Sequence, residues 1–152
     1  MKILGIDPGT GICGFGVIEG KKALDFGVIS TPPHTPLPDR LLDIYESMHE
    51  IIKLNQPDVV SIEKLFFSKN ITTGISVAEA RGIVILVARQ HNLPIYEYTP
   101  NEIKKSLTGY GSADKKQMQE MVRLHLNLEK APQPDDAADA LAAAITHSFV
   151  HR

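Results

Sequence analysis

With 152 residues, 43% of them apolar and 22% charged, the chain has the makeup of one globular domain over 1–152, which excludes disordered and fibrous classes. Its single cysteine, Cys13, rules out an intrachain disulfide, so a reducing, cytoplasmic setting is expected and packing has to supply the stability. The first apolar run is broken by Asp7, too early for a signal peptide, and no stretch reads as a membrane span.

The formal net charge of −2 argues at first against a nucleic-acid partner, but its distribution is uneven. Residues 1–63 carry a net −4, whereas 64–92 carry +3 and 99–125 carry +2. If the acidic residues converge on cations, the remaining surface is basic enough for a polyanion.

In chain order, Ile3-Leu4-Gly5-Ile6 is a short apolar strand that ends in Asp7 and the turn formers Pro8-Gly9. Gly14 to Ile18 alternates as a second strand, and Gly20-Lys21-Lys22 turns the chain into a third run, Leu24 to Ser30, making an antiparallel meander. Thr31 to Pro38 holds four prolines and reads as a loop. From Asp39 the period changes. Leu41, Ile44, Tyr45, Met48, Ile51 and Ile52 recur at helical spacing up to Asn55. Asp58 to Glu63 is again an apolar strand closed by a carboxylate.

Residues 72–90 predict a second helix whose later part, Gly82 to Ala88, is apolar all round, as expected of a helix buried by the sheet and by a second subunit. Pro94 to Tyr98 is a short strand, and Thr99-Pro100-Asn101-Glu102 has capping-box spacing. Gly109-Tyr110-Gly111 breaks that helix, Ser112 is the expected cap of the next, and the alanine-rich run from Asp135 to Phe149 is the last. A meander followed by alternating helix and strand predicts an α/β domain with a five-stranded mixed sheet and helices on its faces.

Asp136 and Asp139 lie three apart on one face of the last helix, and Asp135 shares a face with Asp139 at the four-residue spacing, so spacing alone leaves the inward pair open. The helix dipole accounts for Asp135 and partly for Asp136, but poorly for Asp139 among small apolar neighbours. If the strands ending in Asp7 and Glu63 are neighbours, those carboxylates fall about 5 to 10 Å apart. Four acids that close need cations, and an all-oxygen donor set suits Mg²⁺ or Mn²⁺. Two such ions roughly 4 Å apart clamp a phosphodiester, favouring attack by water on one side and departure of the 3′ oxygen on the other.

The chain resembles the RuvC-type Holliday-junction resolvases. The resemblance runs over essentially its whole length, through Gly5-Ile6-Asp7-Pro8-Gly9-Thr10, Ile62-Glu63-Lys64-Leu65-Phe66 with Lys69-Asn70, Ala80-Arg81-Gly82, Gly111-Ser112-Ala113 with Lys115, and Asp136 to Ala142 with Ile145-Thr146-His147. It implies a ribonuclease H-like fold and a homodimer that makes paired nicks in four-way DNA junctions, leaving 5′-phosphate and 3′-hydroxyl ends. It implies Asp7, Glu63, Asp136 and Asp139 as the catalytic and metal-binding set, holding two Mg²⁺ ions with Mn²⁺ as a substitute. It also implies DNA contacts at Phe66, Lys69, Asn70, Arg81, Lys104 and Lys115, and a branch-migration motor complex as a further partner. Some members carry histidine at the last catalytic position, where this chain has Asp139, so an all-carboxylate site is expected.

Three rival readings stand beside it. An actin-like ATPase opens on a similar Asp and Gly-rich turn but needs a second lobe. A ribonuclease H-like nuclease acting on another nucleic acid would share the acids, and a non-catalytic junction-binding scaffold would tolerate their loss.

Overall fold

The computed structural model describes residues 1–64 and 71–151. Five strands and five helices follow in the order β1 (Lys2–Asp7), β2 (Ile12–Glu19), β3 (Lys22–Ser30), α1 (Leu37–Asn55), β4 (Val59–Glu63), α2 (Ile71–Gln90), β5 (Ile95–Tyr98), α3 (Pro100–Thr108), α4 (Lys115–His125) and α5 (Asp135–Val150). The strands form one sheet in the order β3-β2-β1-β4-β5. β1 to β3 pair antiparallel, while β4 joins β1, and β5 joins β4, in parallel. This is the mixed sheet that the switch from meander to alternating helix and strand predicts.

Strand periodicity sorts the side chains between two cores. Leu4, Ile6, Val60 and Ile62 face α1 and α2, where they pack with Ile44, Met48, Val84 and Val87. Ile3, Ile18 and Val59 face the other way, against Leu141 and Ile145 of α5, with Ile103, Leu107 and Val122 of α3 and α4 completing that layer. Asp7 and Glu63 keep the odd-numbered phase of Ile3 and Val59, which aims both at the α5 face.

α5 lies very close to β1 and β2, because its face is alanine and the strands offer glycine. A Cβ on Gly5 would fall 2.0 Å from the Ala140 carbonyl oxygen, and one on Gly14 would fall 2.0 Å from that of Asp136. Only glycine permits so close an approach. In the same layer the Ser61 hydroxyl donates to the Ala143 carbonyl at 2.6 Å.

Three sequence expectations need correction. α1 begins at Leu37, inside the segment assigned to the proline loop, because Pro38 in its first turn gives up an N–H that has no helical acceptor there. α4 is capped by Asp114 and not Ser112. Asp114 and Gln117 satisfy each other's backbone N–H groups at 2.8 Å, whereas the residue three after Ser112 is Lys115, which offers no acceptor. By length and composition α2 does qualify as a membrane span, contrary to the expectation that no segment would. It carries Glu79 and Arg81, however, and buries Ala80, Val84, Val87 and Ala88 in the core beneath α1.

Candidate metal centre

Parallel pairing of Ile6 with Ile62 sets Asp7 and Glu63 side by side at the C-terminal ends of β1 and β4. Across them runs the first turn and a half of α5, bringing Asp136 and Asp139. Oxygen atoms of Asp7, Asp136 and Asp139 all lie within 4.8 Å of one another. Glu63 stands outside that triangle and lines the cavities on both sides of it, one shared with Asp7 and the other with Asp139. Asp135, left open by spacing, turns outward: it accepts from Gln119 Nε2 at 2.9 Å and meets Lys115 Nζ at 3.5 Å.

The electrostatics of this corner are adverse. Asp7 is pushed up to about 8, first by burial and then by the charges of Asp139, Glu63 and Asp136, the last also sharing a hydrogen bond with it. Burial and Asp139 raise Glu63, with Lys104 pulling the other way. Burial raises Asp139 as well, opposed by Lys115, whose ammonium lies 3.9 Å away and is itself raised by that carboxylate. A fold that leaves carboxyls competing for protons at neutral pH is matched to cations that replace those protons. The donors are all hard oxygens, so the residues fit a divalent ion of the Mg²⁺ type. Cys13, also nearby, is fully buried and pushed up to about 12 by that burial, so it stays a protonated core residue.

Two walls flank the acids. On one side a cavity of about 390 Å³ is lined by Lys104 and Ile103 of α3, Lys115 and Met118 of α4, and Ala113 between them. On the other, Arg81 and Val77 of α2 join Lys64 and Pro100. Arg81 is ion-paired with Glu97 of β5 and its side chain is 17% exposed, so its charge is already partnered. The sequence-predicted Lys104, Lys115 and Arg81 are thus all brought to the acids, whereas Phe66, Lys69 and Asn70 lie outside the described residues. Sequence reasoning missed the apolar part of the first wall. Ala113 was marked only as part of the Gly111-Ser112-Ala113 motif, and nothing assigned Ile103 or Met118 to a site.

A mixed sheet in this order, with carboxylates at the ends of two adjacent parallel strands and on a helix crossing them, defines a ribonuclease H-like fold with a nuclease-type acidic centre. Residues 3–147 match the family model for crossover junction endodeoxyribonuclease RuvC, and the chain belongs to that family. It is 53% identical to the crossover junction endodeoxyribonuclease RuvC of Desulfitobacterium hafniense over 97% of this chain and 92% of that one, and 50% identical to that of Thermomicrobium roseum over the same shares. Among solved structures, Thermus thermophilus RuvC in complex with Holliday junction substrate superimposes with a TM-score of 0.93 at 36% identity, covering 100% of this chain and 95% of that one.

Proposed function

We propose that this chain is a divalent-metal-dependent endonuclease that resolves four-way DNA junctions by paired, symmetric hydrolysis in recombination and repair. The observation that carries the reading is the triangle of Asp7, Asp136 and Asp139 oxygens within 4.8 Å, with Glu63 beside it and lysines on the adjoining wall. Asp7, Glu63, Asp136 and Asp139 are the catalytic and metal-holding set, with Mg²⁺ as the working ion and Mn²⁺ as a substitute. Bound there, the metal supplies positive charge against the scissile phosphate and the departing 3′ oxygen. The residues of the chain do the rest. The acids orient that charge at one end of the sheet, while Lys104 and Lys115 hold the phosphate backbone in register along the cleft. Arg81 on the opposite wall and, in the connection to α2, Phe66, Lys69 and Asn70 complete the proposed DNA contacts.

A junction presents two equivalent strands, so two copies of this chain related by a two-fold axis suit it. The proposed dimer surface is α2. Its Val84, Val87 and Ala88 are buried within the subunit, but Ile71, Ile75 and Leu86 are 69%, 51% and 47% exposed, leaving an apolar stripe for a partner copy. A branch-migration motor is the further proposed partner, and a cytoplasmic location goes with that substrate.

The test is to incubate the protein with a synthetic four-way junction and with linear duplex of matched sequence, with and without Mg²⁺, beside Asp7→Asn. Selective, Mg²⁺-dependent nicking of the junction that Asp7→Asn abolishes is the expected result. Equal cutting of both substrates, or an active Asp7→Asn, would sink the reading; preferential cutting of a ribose-substituted strand would point to an RNA substrate instead.

A further inference from the structure

Between α3 and α4, the elements that bring Lys104 and Lys115 to the acids, one aromatic side chain is exposed on a short turn. Tyr110 is 47% exposed, and among the described residues no aromatic ring packs on it. Gly109 ends α3 in the left-handed conformation, with φ 87° and its N–H on the Lys105 carbonyl at 2.8 Å. The Thr108 hydroxyl accepts the Tyr110 N–H at 3.3 Å, and its one proton lies between the Lys104 carbonyl at 2.6 Å and the Tyr110 carbonyl at 2.8 Å. Gly111 lies so close to the start of α3 that a Cβ there would sit 2.0 Å from Asn101 Oδ1. The tip is therefore turned by Gly109 and braced by Thr108, and three residues later the same segment becomes the cavity wall at Ala113, Asp114 and Lys115.

An isolated exposed tyrosine is ordinary on a protein surface. A tyrosine on the segment that joins α3 to α4, in a sequence block of net +2 where Lys105, Lys115 and Lys116 are exposed, and three residues before the chain reaches the cavity beside the acids at Ala113, has a more specific use. The lysines match phosphates, and the ring face matches what phosphates cannot supply, the flat apolar surface of a base or sugar that has lost its stacking neighbour. Because the Tyr110 N–H is bonded to Thr108 and Gly109 fixes the turn before it, less backbone freedom is lost when a nucleotide settles on the ring.

Resting on the junction-nuclease reading, we propose that Tyr110 is a stacking contact for a nucleotide flanking the cleaved phosphate, on the α3/α4 side of the cleft. It is a binding residue, carried by the segment between α3 and α4 and not by α2.

The test compares Tyr110→Ala, Tyr110→Phe and Lys105→Ala for junction affinity over a salt series, each in an Asp7→Asn background that prevents cutting, and repeats the cleavage assay with Asp7 restored. Tyr110→Ala is expected to weaken binding by about 5- to 100-fold with the salt slope unchanged, because stacking releases no counterions, whereas Lys105→Ala lowers that slope by about one. Tyr110→Phe keeps the ring and binds like the parent. Unchanged thermal midpoints establish that the tip still folds. Binding by Tyr110→Ala within about twofold of the parent, a Tyr110→Phe as weak as Tyr110→Ala, or a loss that comes with a lower salt slope overturns the proposal. If the parent cuts junctions in those cases, only the Tyr110 assignment falls; if the parent does not cut them at all, the nuclease reading falls and takes this one with it.

Discussion

The two ends of α5 solve the problem of buried polarity in opposite ways. At its start, Asp136 and Asp139 are pressed against Asp7 and Glu63 with like charges facing, offset in part by Lys115 and Lys104. At its far end, His147 is 2% exposed and its Nδ1 lies 2.8 Å from the Tyr98 hydroxyl, with His151 stacked on it and the Tyr96 ring tilted against it. Burial and the neighbouring His151 hold His147 below its ordinary pKa, so it stays neutral and its partner is satisfied. One helix thus carries a polar pair that stabilises the fold and an acidic cluster that opposes it. The contrast identifies where the molecule stores chemistry, because a stability-driven core tolerates the first arrangement and selects against the second.

Asp7→Asn breaks that contrast most sharply. It should lower junction cleavage by roughly 10³-fold or more, since several kcal/mol of metal-borne stabilisation goes with the carboxylate. In metal-free buffer at pH 8 it should also raise the thermal midpoint, by about 5 °C, because the repulsion disappears. A fall in that midpoint would mean that Asp7 contributes to the fold.

Gly14→Ala attacks the same end through geometry. Its Cβ would collide with the Asp136 carbonyl oxygen, lifting the start of α5, so a loss of about 2–3 kcal/mol and a roughly 10²-fold drop in cleavage are expected, read by denaturant unfolding and by the junction assay. His147→Ala is the matching change at the quiet end. Leaving the Tyr98 hydroxyl unpaired beside a cavity should cost about 2–4 kcal/mol, while activity per folded molecule is preserved. If specific activity fell in parallel, the two ends would not be separable.

The smallest effect is in pH, and its sign differs between the ends. Asp7 keeps its proton to about 8 in the folded chain but releases it near 4 when unfolded, so its contribution to stability is full below about pH 4 and is lost as pH rises through 8. His147, depressed by burial, contributes above its unfolded value near 6.5 and loses that contribution as pH falls. Midpoints measured from pH 5 to 9 should show an alkaline decline that Mg²⁺ removes and Asp7→Asn abolishes, together with an acid decline that neither touches.

Much of this was legible in advance, for identifiable reasons. Apolar runs ending in a carboxylate gave β1 and β4, and strand phase, once the pairing is known, aims Asp7 and Glu63 at one face. The helical spacing of Asp136 and Asp139 marked the right helix but not the inward pair, because Asp135 and Asp139 satisfy the same periodicity. The resemblance implies Asp136 and Asp139, and the physical reason lies in tertiary packing against Gly14 and in the engagement of Asp135 by Gln119 and Lys115. Tyr98 and His147 were invisible as a pair, since 49 residues separate them and the motif that includes His147 does not point to Tyr98. The resemblance carried the remainder.

The distance in sequence between Asp7 and the α5 acids also matters during synthesis. β1 leaves the ribosome early, yet the side chains that complete its acidic centre follow about 130 residues later, on the helix that closes the sheet. A nascent chain therefore carries no assembled centre for most of its translation. On the proposed assignment of Asp136 and Asp139, the chain becomes competent to cut only when α5 docks, so completion of the fold would itself act as the licence.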